Sequence, residues 1–186
     1  MDNQEAFYLS VSGNLDERIC RETAHICDEM AAQKRKIKIL LNSTGGLTRP
    51  AIVLSHFLEE LGDSVTTYGN GRIESAAVTI FVGGNKRIVH PNCFIHIHPS
   101  AMTMNGSYTE AELLRTAEVL KRDRQEIDHI FAKRTGMSKR MRNQVFVNQG
   151  RDMSPTEAIK LGIAHEIGIL KIPVEAEKYA LHGEKD

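Results

Sequence analysis

Apolar residues recur along this chain in two rhythms, the alternation of strands and the three-four spacing of helices. The run Phe7-Tyr8-Leu9-Ser10-Val11 predicts a short strand closed by Ser12-Gly13. Asp16 then precedes Ile19, Ala24, Ile26, Cys27 and Met30 at helical spacing, which predicts a capped helix over 17–33. Ile37-Lys38-Ile39-Leu40-Leu41 predicts a second strand, ended by the turn Asn42-Ser43-Thr44-Gly45-Gly46. The helix after it carries Pro50 in its first turn and Gly62 just past its end. Val65-Thr66-Thr67-Tyr68 is the third strand, and Gly69-Asn70-Gly71 reads as a turn leading to Ser75. Beyond Ser75 the apolar stretch to Val82 predicts a buried helix.

The second half begins the same way and then becomes helical. Lys86–Val89 and Phe94–His98 predict short strands, the latter with His96 and His98 on one face. Thr109-Glu110-Ala111-Glu112 is a capping box that starts a long helix to about Arg134. Leu113, Ala117, Leu120, Ile127 and Phe131 follow its three-four spacing, and Gly136 stops it. Ser154-Pro155-Thr156-Glu157 is a second capping box, and Gly162 ends that helix. Strands alternating with helices imply an α/β fold with a largely parallel sheet. A length of 186 residues suits one domain, 1–186.

Composition narrows the function classes. The 24 basic and 24 acidic residues balance, so nothing here marks a nucleic-acid binder. Cys20, Cys27 and Cys93 show no CxxC spacing, which argues against a disulfide framework or a zinc site. Cys20 and Cys27 share one helix face and are expected to be buried thiols. No stretch approaches the roughly 20 apolar residues of a membrane span. Met1-Asp2-Asn3-Gln4-Glu5 lacks the order of a secretory signal, so a cytoplasmic location is expected, with no cofactor and no metal.

Ser75 carries the candidate chemistry. A serine hydroxyl needs a base to take its proton, and its acyl chemistry needs donors for the oxyanion. A histidine stands downstream at His98, and the N–H of Ala76 directly follows the serine at a helix N-terminus. The Gly45-Gly46 turn could bring a second backbone N–H. The motif is not a GxSxG elbow, because Ile73 and Ala77 flank it.

These segments resemble the Clp protease proteolytic subunit family. Leu41-Asn42-Ser43-Thr44-Gly45-Gly46 is similar to the family's strand followed by Asn-Ser-Pro-Gly-Gly. Gly71 through Ala77 is similar to its Gly-x-Ala-Ala-Ser-Met-Gly motif, with Ser75 on the serine. Lys86-Arg87, Pro91-Asn92, Ile97-His98, Thr135-Gly136 and Met153 through Ala158 follow in the family's order. The resemblance implies a crotonase-like spiral of βαβ units with a projecting handle helix, within about 99–135. It also implies a homo-oligomer of stacked rings that cleaves peptides or unfolded proteins, fed by a separate ATP-driven unfoldase. By position, Ser75 is the nucleophile, His98 the general base with His96 as fallback, and Gly46 and Ala76 the oxyanion hole.

Four departures bear on that expectation. The family's catalytic aspartate falls on Gly150, leaving Asp152 as the candidate third member or Ser75–His98 as a dyad. Glu74 replaces alanine beside the nucleophile, where it could pair with Arg72 or His96. Pro99 replaces glutamine after the histidine. The first strand begins near residue 7, so the N-terminal axial segment is expected to be nearly absent. The alternative reading is a catalytically weak or inactive ring subunit; a third is a crotonase-type enzyme acting on an acyl-thioester.

Overall fold

The computed structural model describes residues 6–184; the expectations placed on residues 1–5 lie outside them. Eight strands form one sheet in the order β6-β5-β3-β2-β1-β8, with β4 beside β3 and β7 beside β4. The central strands are β1 (Phe7–Gly13), β2 (Ile37–Ser43) and β3 (Val65–Glu74), parallel to one another. β4 (Lys86–Val89) and β5 (Phe94–Ile97) both run parallel to β3. The described strands pair antiparallel only between β5 and β6 (Arg151–Met153). β7 (Glu166–Ile167) and β8 (Lys178–Gly183) complete the sheet. Among the described residues no helix is long and apolar enough to cross a membrane.

Local chemistry places the helices. Asp16 accepts the Ile19 N–H at 2.7 Å and caps α1 (Glu17–Ala32). Ile19, Cys27 and Met30 are buried on its inner face, with Cys20 and Thr23 between them, while Ala24 and Ile26 pack at the core's margin. α2 (Thr48–Glu60) lies between β2 and β3, and α3 (Ala76–Gly83) is buried at every position, as a helix apolar all round must be. Both expected capping boxes form, on α4 (Glu110–Arg134) and, after the short α5 (Lys139–Asn143), on α6 (Pro155–Lys160). α4 packs only by its C-terminal half, where Ile127, Ile130 and Phe131 are buried. Leu113 and Leu114 in its first turns stay exposed, so the apolar spacing there faces outward rather than into this chain's core.

One expected turn is instead part of a strand. Gly69-Asn70-Gly71 continues β3, which pairs with β4 up to Gly69 and with β5 from Arg72. Against β2 the register jumps from Leu41↔Gly69 to Ser43↔Ile73, a bulge that absorbs the change of partner. Gly71 takes φ +84° there, and a Cβ on it would lie 2.9 Å from the Asn42 Oδ1 that accepts the Arg72 N–H.

The three cysteines are free and buried. Burial pushes each thiol up to about 12, with Asp16 adding to the effect at Cys20. Thiolate is therefore scarce near neutral pH, and iodoacetamide should leave the folded chain unmodified. Intact mass before and after denaturation checks this; uptake by the native protein would contradict the burial.

Candidate active site

Ser75 sits between β3 and α3 with φ +54°, ψ −124°. Among the described residues only Lys34 shares a positive φ without being glycine. Such a backbone costs roughly 1–3 kcal/mol and persists only where the surroundings hold it. They do: the Ser75 N–H donates to the His96 carbonyl at 2.9 Å, and its own carbonyl accepts the Val78 N–H at 3.0 Å. The strand therefore ends in a sharp turn that presents the hydroxyl at the start of a buried helix.

Gly45 lies directly against that turn. A Cβ there would stand 2.7 Å from Ser75 Cβ and 3.2 Å from the Ala76 nitrogen, and φ is +102°. Its own N–H is committed to Ser43 Oγ at 3.0 Å, and the Leu47 N–H to the Leu15 carbonyl at 2.8 Å. Between them the Gly46 N–H has no acceptor among the described residues. Ala76, first residue of α3, has no intrahelical acceptor either. Among the described residues both N–H groups are thus unpaired, that of Ala76 directly following the serine and that of Gly46 directly following the glycine packed against it.

His98, one residue past β5, lines the same pocket as Ser75, together with Thr48, Ile127 and Phe131. Its Nδ1 is 2.7 Å from the Pro99 carbonyl oxygen. A carbonyl only accepts, so in the neutral ring this contact selects the tautomer with the proton on Nδ1 and the lone pair on Nε2. No hydrogen bond joins the Ser75 hydroxyl to the imidazole among the described residues; such contacts often tighten only when substrate binds.

The family model for Clp protease matches residues 6–170. The chain belongs to the Clp protease family. It is 30% identical over 142 residues to the ATP-dependent Clp protease proteolytic subunit of Arabis hirsuta, covering 73% of this chain and 69% of that protein. The Paracoccus denitrificans subunit is 27% identical over 129 residues, covering 68% of this chain and 64% of that one. A ClpP1 mutant from Listeria monocytogenes superposes with a TM-score of 0.74 at 22% identity, over 86% of this chain and 90% of that structure, which establishes the ClpP-type fold. The family is one of serine-type peptidases.

The chain departs from the family's sequence pattern at Gly150. A Cβ at Gly150 would come within 2.9 Å of His98 Cβ and 3.0 Å of the Ile97 carbonyl, so the chain passes too close for a side chain. Asp152 does not take its place. The β5–β6 register sets it opposite His96, and its Oδ1 lies 2.6 Å from His96 Nδ1. His96 in turn stacks on His98, ring centroids 5.4 Å apart. Glu74 pairs with Arg72, which lies over the Phe94 ring. The expectation of Asp152 beside His98 is thus replaced by a carboxylate one imidazole away, because antiparallel pairing fixes its partner.

Two participants were not anticipated. The Pro99 carbonyl engages His98 Nδ1, and a backbone acceptor leaves no trace in residue type. Phe146 reaches the pocket from a single π-helical turn (Gln144–Asn148) and meets Phe131 edge to face, centroids 5.0 Å apart. An Asp152→Ala variant should acylate Ser75 within about threefold of the wild type, since the lost partner is His96 and an exposed pair is worth under about 1 kcal/mol. Labelling rates with a fluorophosphonate decide it; a large loss would return Asp152 to the catalytic set.

Proposed function

We propose that this member of the Clp protease family is a serine endopeptidase that works with a Ser75–His98 dyad. His98 Nε2 takes the Ser75 proton as Oγ attacks a peptide carbonyl. The oxyanion is held by the N–H groups of Gly46 and Ala76. The imidazolium then protonates the leaving amine, the peptide C–N bond breaks, and an acyl-serine remains. Water, deprotonated by His98, attacks that ester, releases the carboxylic acid product and returns the proton to Ser75.

The observation that carries this reading is Ser75 at φ +54° on the N-terminus of α3, in one pocket with an imidazole whose Nδ1 is already engaged. The Pro99 carbonyl orients the ring as a carboxylate would. It carries no negative charge, so it stabilises the imidazolium less, and a slow enzyme is expected.

Assembly into stacked rings belongs to the same proposal. The exposed Leu113, Leu114 and Val119 on the free half of α4 are the residues that a second ring would cover. Substrates would be peptides or unfolded proteins, delivered by a separate ATP-driven unfoldase where one engages.

A fluorophosphonate should add once per chain, read by intact mass, and should not add to Ser75→Ala. Absence of an adduct on assembled wild-type protein would favour an inactive ring subunit instead.

A further inference from the structure

A groove of about 290 Å³ adjoins the Ser75 pocket, sharing Ser100 and Phe146 with it. Its walls are the backbone turn after His98, the middle of α4 and the π-helical turn. Leu120, Phe146 and Val147 make it apolar, and Lys121 and Arg124 supply its charge. No carboxylate lines it.

Arg124 is the unexplained residue. It is half-buried as a residue, yet its nitrogens still reach solvent, so the guanidinium is open to an incoming acceptor. Every other half-buried arginine among the described residues has one: Arg35 on Glu177, Arg134 on Glu59, Arg142 on Asp128 and Arg151 on Glu157. Arg124 has neither carboxylate nor carbonyl partner among the described residues. The acids nearest in sequence on α4 are committed elsewhere. Asp123 and Glu126 face Arg49, Asp128 faces Arg142, and Glu118 takes Lys121 at 3.3 Å.

We infer that this groove is a substrate subsite that takes a carboxylate on Arg124, with the apolar stem of that group against Leu120 and Phe146. This rests on the peptidase reading and deepens it, since it assigns a substrate class: peptides with an acidic group near the scissile bond. The carboxylate can be an Asp or Glu side chain or the free C-terminus of a short peptide. Both present the same planar pair of acceptors to a guanidinium.

The test is an internally quenched peptide library in which each position carries Glu or Gln in turn, with every member made with a free and with an amidated C-terminus. Wild-type protein is first checked for its fluorophosphonate adduct. One position should favour Glu over Gln by about tenfold in kcat/KM, the scale of a hydrogen-bonded charge. A preference for free over amidated ends would assign the C-terminal source. Added salt should weaken the preference. Arg124→Gln should bring the Glu-to-Gln ratio near unity, Arg124→Glu should invert it, and Arg124→Lys should keep part of it. Equal turnover of all pairs by unlabelled wild-type protein, from a preparation whose separate aliquot forms the adduct, would overturn the subsite, even if the variants failed to fold. No adduct on wild-type protein would remove the peptidase reading, and this inference with it.

Discussion

Replacing His98 by alanine is expected to slow acylation of Ser75 by about 10²- to 10³-fold, well short of the 10⁶-fold typical when a complete triad loses its base. The reason is the missing carboxylate. Loss of the orienting acid costs about 10⁴-fold in a serine protease, so a dyad starts lower and has less to lose. Here the ring is held by the Pro99 carbonyl at 2.7 Å, which sets the tautomer but lends no charge. Ser75→Ala should abolish the adduct altogether. Installing the family's acid as Gly150→Asp should give no gain, because its Cβ would lie 2.9 Å from His98 Cβ and push the base away. Rates of fluorophosphonate uptake by mass check all three. A gain in Gly150→Asp would show that the chain there yields more easily than this packing implies.

The largest expected stability loss lies away from the serine, at Arg87 on β4. Its guanidinium is buried and donates to five carbonyls: Ile163 at 2.8 Å, Arg134 at 2.8 Å, Gly162 at 3.0 Å, Gly84 at 3.2 Å and Val82 at 3.4 Å. These close the C-terminal ends of α3 and α4 and the turn after α6, where unpaired carbonyls collect partial negative charge. Burial, and secondarily Arg134, pull Arg87 down to about 10, so it stays protonated at neutral pH. Arg134 serves the same cluster, reaching Val82 and Gly84 at 2.8 Å each. Arg87→Ala would strand these acceptors and cost about 3–5 kcal/mol. A thermal scan should show Tm lower by about 10 °C. Arg87→Lys should recover little of it, since an ammonium cannot span the fork of acceptors. A Tm for Arg87→Ala close to wild type would mean that Arg134 or water satisfies the cluster alone.

Much of this architecture was readable because its determinants are local. Asp16, Thr109 and Ser154 cap their helices through bonds three residues long, so residue type and spacing suffice. The parallel sheet followed from strands alternating with helices. The Gly69–Gly71 segment was misread because its conformation depends on β3 changing partners from β4 to β5, which no local pattern reports. β8 went unseen for a related reason. Leu181 is its one large buried side chain, and its pairing with β1 joins residues about 170 apart in sequence. At the site, Ser75 was marked by its motif and His98 by its distance from Pro91-Asn92. The partner of Asp152 was set by antiparallel register, and the orienter of His98 is a backbone atom. Neither is written in residue identity.

The central claim is that Ser75 opens peptide bonds, and trapping the acyl-enzyme tests it most directly. Assembled wild-type protein and Ser75→Ala would be incubated in parallel with an unfolded protein, quenched in acid and analysed by mass spectrometry. The account predicts internal cleavage products with wild type only, and an acyl adduct on the peptide that contains Ser75. Equal cleavage by the two proteins, or an adduct on any other residue, would contradict it.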